Sequence, residues 1–202
     1  MGRLCSIRNL FAAVGMNSPP ARIVGCMKQI FVAASLLASS LILSTAALRA
    51  AEIPAAGSKA PDFTLQSQEG KTVSLKEFKG QWVVLYFYPK DMTQGCTIEA
   101  HNFQRDLDQY TAKHAAIVGV SADTIDSHQQ FCTKESLTFR LLADPNKEVI
   151  ATYGSLAANG MVAARNTFLI DPDGVIRKVY TKVNPNPHSQ EVLTDLAELE
   201  KK

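Results

Sequence analysis

The first 51 residues of this 202-residue chain contain no aspartate or glutamate. Their charged residues are all basic, namely Arg3, Arg8, Arg22, Lys28 and Arg49. With these five subtracted from the 21 basic residues of the chain, the remainder holds 16 basic against 19 acidic residues, a formal net charge of −3. Because the basic excess belongs to the N-terminal segment alone, the sequence gives no indication of a nucleic-acid-binding surface.

Motifs that would indicate a cofactor or a metal are also missing. The sequence has no glycine-rich phosphate loop, no N-glycosylation sequon and no cluster of His and Cys at metal-ligand spacing. Its four histidines are scattered, at His101, His114, His128 and His188, and we expect them to be structural or surface residues. The sequence therefore predicts neither a cofactor nor a bound metal.

The N-terminal segment contains one long apolar stretch, residues 30–48, which follows Met27 and Lys28. Small residues from 46 to 51 end the stretch, an order typical of a secretory signal peptide. Residues 1–51 are therefore predicted to be a leader, with Met27 as an alternative start, that exports the protein to the periplasm. An uncleaved leader that anchors the protein in the membrane, for which 19 apolar residues suffice, and an organellar transit peptide are the alternatives.

Cysteine is scarce, with four residues in the whole chain. Cleavage of the leader would remove Cys5 and Cys26 and leave Cys96 and Cys132. Two cysteines in an exported domain usually indicate a structural disulfide, and a reversible disulfide is the alternative.

Beyond the leader, the composition predicts a linker over residues 52–60 and one domain over residues 61–202. Hairpins are indicated around Glu69-Gly70 and around Asp173-Gly174, because turn residues there separate short apolar runs. Strands alternate with helices between the two hairpins. This order predicts an α/β domain with a central mixed sheet flanked by helices and an N-terminal hairpin extension.

Three later helices have recognisable start signals in the sequence. Asp123 or Thr124 is the expected N-cap of the helix that contains Cys132, and Ser189 is expected to cap the last helix. Asp144, followed by a proline, is expected to cap the helix between them.

The stretch from Trp82 to Phe103 is the most informative part of the chain. A run of seven apolar and aromatic residues predicts a strand buried on both faces, and a helical pattern that continues to Tyr110 follows it. Thr93 occupies the expected N-cap, which puts Cys96 at the third helical position. The N–H groups and dipole of a helix start favour a thiolate, the nucleophilic form of cysteine. The alternative is that Cys96 is simply a small buried hydrophobic residue.

Two motifs resemble those of the peroxiredoxin family. The first is Pro89-x-x-x-Thr93-x-x-Cys96, and the second runs from Arg165 to Asp171 as Arg-x-Thr-Phe-Leu-Ile-Asp. The Tyr-Phe-Tyr-Pro-Lys-Asp sequence around Pro89 is similar to that of the bacterioferritin-comigratory, or Q-type, subgroup. The resemblance extends from about residue 57 to the C-terminus. It implies a thioredoxin-like fold and a thiol-dependent peroxidase that reduces hydrogen peroxide and organic hydroperoxides.

The resemblance also implies a role for each matching residue. Cys96 corresponds to the peroxidatic cysteine, Thr93 to the hydroxyl that positions the peroxide, and Pro89 to the residue that shields the thiolate. Arg165 corresponds to the guanidinium beside the thiolate, where it would stabilise negative charge. Glu99 matches a family position from which it would hold Arg165 in place.

The chain departs from the subgroup at two positions. Gln94 replaces a common proline at the first helical position, where proline would pre-organise the turn. His101 stands where many members have a resolving cysteine. A resolving thiol must therefore come from elsewhere in the chain or be absent. The Phe131-Cys132-Thr133-Lys134 sequence resembles another Q-type pattern, with the resolving cysteine on the next helix. That resemblance implies Cys132 as the resolving residue, an intramolecular disulfide reduced by a thioredoxin-like or other thiol donor, and a monomeric protein.

Two other functions compete with this interpretation. An exported thiol-disulfide oxidoreductase of the same fold would need Cys-x-x-Cys at the helix start, whereas this chain has Thr93 in place of the first cysteine. A non-enzymatic binding or holdase domain is the other alternative, and an assay of peroxide consumption distinguishes it from a peroxidase.

Overall fold

The computed structural model describes residues 52–201. The predicted leader, with its apolar stretch, Met27, Cys5 and Cys26, lies outside the described residues. Among residues 52–201, no helix has both the length and the apolar character needed to cross a bilayer.

Seven strands form one sheet within the described residues. In chain order they are β1 (Thr64–Ser67), β2 (Thr72–Ser74), β3 (Trp82–Phe87), β4 (Ala115–Ser121), β5 (Arg140–Ala143), β6 (Asn166–Ile170) and β7 (Ile176–Tyr180). The helices are α1 (Gln94–Arg105), α2 (Leu107–Ala112), α3 (Ile125–Glu135), α4 (Glu148–Thr152) and α5 (His188–Leu199). A 3₁₀ turn (Leu75–Phe78) follows β2.

The sheet is mixed, as the alternation of strands and helices predicted. Its strand order is β2-β1-β5-β4-β3-β6-β7. The β3–β4 and β4–β5 pairs are parallel, whereas β6 runs antiparallel to β3 and both hairpins are antiparallel. The N-terminal hairpin extends the sheet through the antiparallel β1–β5 pair.

Strand β3 lies at the centre of the fold and is buried on both faces. Because successive side chains of a strand point to opposite faces, Val84 and Tyr86 pack into one core cluster while Val83 and Leu85 pack into the other. Each such apolar side chain contributes about 1.5–3 kcal/mol when fully buried. The chain leaves this rigid strand directly into the loop that precedes Cys96.

The predicted helix from Cys96 to Tyr110 is divided in two. Helix α1 ends at Arg105 and α2 begins at Leu107, with Asp106 between them. The Asp106 carboxylate accepts hydrogen bonds from the Arg105 guanidinium and from the side chains of two residues of α5, Ser189 and Gln190. These tertiary contacts stabilise the break, and nothing in the local sequence period indicates it.

Two of the three predicted caps need correction. Thr124 caps α3 as predicted, since its Oγ1 accepts from the N–H of Ser127 at 3.2 Å. Ser189 lies inside α5, which begins one residue earlier, and its hydroxyl donates to Asp106 instead. Helix α4 begins at Glu148 and not directly after Asp144 as predicted, because a turn follows Asp144 and ends at Lys147, which has φ 61°. The Asp144 carboxylate still accepts from two N–H groups at the start of α4.

The segment 52–60, predicted to be a linker, approaches the second hairpin. The N–H of Gly57 donates to the carbonyl of Ile176, and the N–H of Ala60 donates to that of Gly174. These bonds attach the second half of the segment to the hairpin formed by β6 and β7.

Candidate functional site

Cys96 occupies the third position of α1, as the sequence predicted. Thr93 is the N-cap in an extended conformation, with φ −85° and ψ 148°, and the first helical bond runs from the N–H of Thr97 to its carbonyl. Cys96 is 2% exposed. A thiol in the first turn of a twelve-residue helix experiences the positive end of the helix dipole, which favours the thiolate.

Arg165 contacts Cys96 directly, although 68 residues separate them in the sequence. Its Nη2 donates to Cys96 Sγ at 3.2 Å. The antiparallel β3–β6 register explains the proximity, because Asn166 pairs with Phe87 at the end of β3, where the loop to α1 begins. The sheet therefore places the guanidinium beside the helix start.

Glu99 holds the other side of the guanidinium. Its Oε2 accepts from Arg165 Nη1, and its side chain is 1% exposed. Because Glu99 follows Cys96 by three residues, the two side chains lie on the same face of α1. The structure thus brings together Cys96, Glu99 and Arg165, the three residues that the family resemblance implied would be neighbours.

Burial and charge oppose each other in this ion pair. Burial raises the pKa of Glu99, the nearby Arg165 offsets only part of that rise, and the resulting pKa is about 7. Burial also tends to lower the pKa of Arg165, but Glu99 and Cys96 more than offset it and the net pKa is raised. Arg165 therefore stays charged, whereas Glu99 can exchange a proton near neutral pH.

Thr93 and Pro89 lie on the loop between β3 and α1. The Thr93 hydroxyl donates to the carbonyl of Lys90 at 2.9 Å, so it does not cap the helix with its side chain. Thr93 is exposed and Pro89 is half-buried. Their expected roles, positioning the peroxide and shielding the thiolate, stay predictions.

Cys132 lies in α3, on the same side of the sheet as Cys96. Both are free thiols, and both belong to the same core cluster. Burial raises the pKa of Cys132 to about 11, and the negative charge of Asp91 adds to the rise. Cys132 is therefore a neutral thiol at physiological pH, and its resolving role stays a prediction.

Sequence reasoning missed a buried polar cluster formed by Tyr88, Asp91, Ser127 and His128. The Asp91 carboxylate accepts from the Tyr88 hydroxyl and the Ser127 hydroxyl, each at 2.7 Å, and lies 2.8 Å from His128 Nδ1. One signal was present in the sequence, since His128 shares the apolar face of its helix with Cys132. Its expected role was only structural.

The described residues offer no metal centre. Across residues 52–201, no group of three or more His, Cys, Asp or Glu side chains could hold a metal ion.

Comparison with known proteins supports the same interpretation of this site. The sequence model of the AhpC/TSA family matches residues 56–179, which include both Cys96 and Arg165. The chain is 38% identical over 152 residues to "Peroxiredoxin Bcp" of Bacillus subtilis, an alignment that covers 72% of this chain and 97% of that protein. It is 41% identical over 143 residues to "Putative peroxiredoxin bcp" of Coxiella burnetii, with 68% and 95% covered.

Solved structures give the same result for the fold. A PrxQ cysteine-to-serine mutant from Xylella fastidiosa superimposes with a TM-score of 0.70 at 29% identity, over 74% of this chain and 99% of that one. A bacterioferritin comigratory protein from Xanthomonas campestris, whose structure concerns alkyl peroxide reduction, gives a TM-score of 0.65 at 31% identity, over 67% and 90%. The predicted thioredoxin-like fold, with its mixed sheet and flanking helices, is thus confirmed.

A buried cysteine at a helix start, an arginine that donates to it and a family match spanning both residues lead to one conclusion: the chain belongs to the AhpC/TSA family, as a peroxiredoxin.

Proposed function

We propose that this protein reduces hydrogen peroxide and organic hydroperoxides with electrons from a thiol donor, using Cys96 as the peroxidatic residue. The observation that carries the proposal is the 3.2 Å hydrogen bond from Arg165 Nη2 to Cys96 Sγ in the first turn of α1. A positive, fixed donor at a buried helix start is the environment in which a cysteine becomes a nucleophile.

The first chemical step follows from this geometry. The Cys96 thiolate attacks one peroxide oxygen, the O–O bond breaks, and the departing hydroxide or alkoxide takes up a proton to leave as water or an alcohol. Cys96 becomes a sulfenic acid. Arg165 stabilises negative charge on the sulfur and on the departing oxygen, because its donors are already fixed by Glu99.

Two further residues complete the proposed site. The Thr93 hydroxyl lies on the loop just before the first turn, from which it would bind the peroxide once it leaves the carbonyl of Lys90. Pro89 would shield the thiolate from bulk water at the end of β3.

In the second step, we propose that Cys132 attacks the sulfur of the Cys96 sulfenic acid. The products are a Cys96–Cys132 disulfide and water, and a thioredoxin-like dithiol then reduces the disulfide. A disulfide needs Cα atoms within about 7 Å. Because the two cysteines lie in two separate helices, we propose that one or both helices unwind locally in each cycle to bring them together. Cys132 is the only other cysteine after residue 26.

An activity assay tests the proposal. Purified protein is mixed with peroxide and a thioredoxin system, and peroxide consumption is followed for the wild type, Cys96→Ser and Cys132→Ser. We expect Cys96→Ser to be inactive and folded, and Cys132→Ser to react once with peroxide but turn over slowly with the dithiol donor. Peroxide consumption by Cys96→Ser at the wild-type rate would exclude Cys96 as the nucleophile.

We also propose that the leader exports a monomeric enzyme to the periplasm. The acid-free N-terminal segment with its apolar stretch supports export, and the resemblance to Q-type proteins supports the monomer. N-terminal sequencing of protein from fractionated cells tests the first part, and full-length protein in the cytoplasm would contradict it. Light scattering on the mature protein tests the second.

A further inference from the structure

A buried polar cluster joins the loop before Cys96 to the helix that carries Cys132. Asp91, five residues before Cys96, lies 2.8 Å from the Nδ1 of His128, four residues before Cys132. The Asp91 and His128 side chains are 2% and 0% exposed, respectively. The chemistry described above uses neither side chain. Full burial of two ionisable side chains costs free energy, so their position calls for an explanation.

The hydrogen bonds of the cluster define which nitrogen of His128 carries a proton. Burial tends to raise the pKa of Asp91, but the hydrogen bond from His128, the positive charge of His128 when it is protonated, and the hydrogen bonds from Tyr88 and Ser127 outweigh burial and leave the pKa lowered. An ionised Asp91 accepts hydrogen bonds only, so His128 Nδ1 is the donor between them. In a neutral imidazole the other nitrogen, Nε2, is then a bare acceptor.

His128 Nε2 is buried and has no hydrogen-bond partner among residues 52–201. A buried acceptor without a partner is an unusual feature of a folded protein and calls for an explanation. Cys132 lies one helical turn further along α3, and side chains at this spacing have Cβ atoms about 5–6 Å apart. The unpaired nitrogen therefore belongs to a side chain one helical turn from the thiol that has to react, and the two groups are not hydrogen-bonded in the resting structure.

Cys132 needs help to react at neutral pH. Burial raises its pKa to about 11, with a further contribution from the charge of Asp91. At pH 7 only about one molecule in 10⁴ would carry the thiolate, which is the nucleophilic form. A base that takes the proton during the attack would remove this penalty.

We propose that His128 is the general base of the resolving step, an inference that rests on the proposed peroxidase function. His128 Nε2 takes the proton from the Cys132 thiol while Cys132 Sγ attacks the sulfur of the Cys96 sulfenic acid. The S–S bond forms and the S–O bond breaks. The departing hydroxide recovers the proton from His128 and leaves as water, so no further reactant is needed.

Asp91 is the positioning residue of this arrangement. It fixes the imidazole in the tautomer that leaves Nε2 free and offsets the positive charge that His128 acquires, as the aspartate of a serine-protease triad does. Tyr88 and Asp91 are the titratable groups that contact His128 from the end of β3, and Cys132 is the neighbouring thiol on its own helix.

The same contacts explain how the base stays near the reacting atoms. The Thr124 cap and the Ser127 bond to Asp91 hold the first turn of α3, so we expect unwinding to involve the part of the helix beyond His128. Asp91 also ties His128 to the loop that leads to Cys96. As Cys132 moves towards Cys96, it approaches a base held on the Cys96 side, and a contact that is long at rest can tighten.

The variant His128→Asn separates this role from a structural one. The asparagine amide can donate to Asp91 in place of Nδ1, but it offers no base in place of Nε2. The matched control is His114→Asn, an exposed position with φ 49°, a conformation that asparagine tolerates. Each protein receives one equivalent of hydrogen peroxide, is quenched at intervals by thiol alkylation, and is analysed by intact mass.

We expect all three proteins to form the sulfenic acid at the same rate. Near pH 7 the disulfide should form about 100-fold more slowly, or slower still, in His128→Asn than in the wild type and His114→Asn. The variant should recover about tenfold for each unit of rising pH, as thiolate replaces thiol. An equal disulfide rate, or a slowing that is the same at every pH, would overturn the proposal.

Two further results keep the test decisive. If His128→Asn does not fold, Asp91→Asn is measured instead, and disulfide formation at the wild-type rate in that variant overturns the proposal. If Cys96 forms no sulfenic acid in any of these proteins, the proposed function fails, and this outcome is distinct from a normal sulfenic acid that resolves without His128.

Discussion

Replacing Arg165 with alanine should slow the reaction of Cys96 with peroxide by a predictable factor. The change removes a hydrogen bond from a charged donor to the Cys96 sulfur. Such bonds contribute about 1.5–3 kcal/mol, and each 1.36 kcal/mol in the barrier is tenfold in rate. We therefore expect Arg165→Ala to react about 10- to 150-fold more slowly than the wild type.

The same substitution leaves Glu99 buried without its partner. Removing one member of a buried ion pair typically costs about 3–5 kcal/mol, because the remaining charge is uncompensated. Glu99 can avoid most of that cost by taking up a proton, since burial already raises its pKa to about 7. We expect Arg165→Ala to lose less than about 3 kcal/mol of stability at neutral pH, and Arg165→Ala/Glu99→Gln to recover most of it without recovering the rate.

Rapid-quench mass spectrometry provides the assay. The second-order rate constant for sulfenic acid formation is measured for the wild type, Arg165→Ala, Arg165→Lys and the double variant, beside urea unfolding of each. Arg165→Lys should be intermediate, because lysine keeps the charge but cannot donate to Cys96 and Glu99 through one rigid fork. A rate within twofold of the wild type in Arg165→Ala would refute the role given to Arg165.

Three further substitutions test the surroundings of the site. Glu99→Gln should remove a pH dependence of the unfolding free energy. The pKa of Glu99 is about 7 in the folded protein and the reference value is 4.5, so its stabilising contribution is complete below about pH 4.5 and is lost as the pH rises through 7, by roughly 1–3 kcal/mol relative to the variant. A difference in unfolding free energy between wild type and variant that is constant with pH would contradict this. Gln94→Pro should raise the unfolding free energy by about 0.4–1 kcal/mol in urea titrations, because proline suits a first helical position and the residue before it is already extended; a loss of stability would show that the turn cannot accept it. Gly119→Ala should cost about 1–3 kcal/mol, because an added Cβ would lie 2.7 Å from Leu141 Cδ2 and from Tyr86 Cζ and Oη. Adding Tyr86→Phe removes the contact with Oη and should restore part of the loss; no recovery would contradict the share of the strain given to the Tyr86 hydroxyl.

The sequence predicted those parts of the fold that depend on local pattern. Strand β3 could be predicted because a run of seven apolar residues indicates burial on both faces. Thr93 indicated the start of α1 because its side chain suits an N-cap. The hairpins were evident from their Asp-Gly and Glu-Gly turns. The position of Cys96 followed from these local signals alone.

Features that depend on distant partners were not predictable in the same way. The break at Asp106 exists because α5 supplies hydrogen bonds to its carboxylate, and the late start of α4 depends on Lys147 adopting φ 61°. The contact between Arg165 and Cys96 was expected only through the family resemblance, since its physical cause is the register between β3 and β6. The Asp91–His128 pair had no sequence signal beyond one histidine on an apolar face.

Peptide mapping after oxidation tests the central claim, that Cys96 reacts with peroxide and Cys132 resolves it. Reduced mature protein receives one equivalent of hydrogen peroxide, remaining thiols are alkylated, and the digest is analysed by mass spectrometry without reduction. We predict that the peptide of Cys96 is joined to that of Cys132 within a single chain, and that Cys132→Ser instead accumulates sulfenic and then sulfinic acid on Cys96. A Cys96 that stays reduced, or one found only in disulfides between chains or as a lasting sulfenic acid in the wild type, would contradict the account.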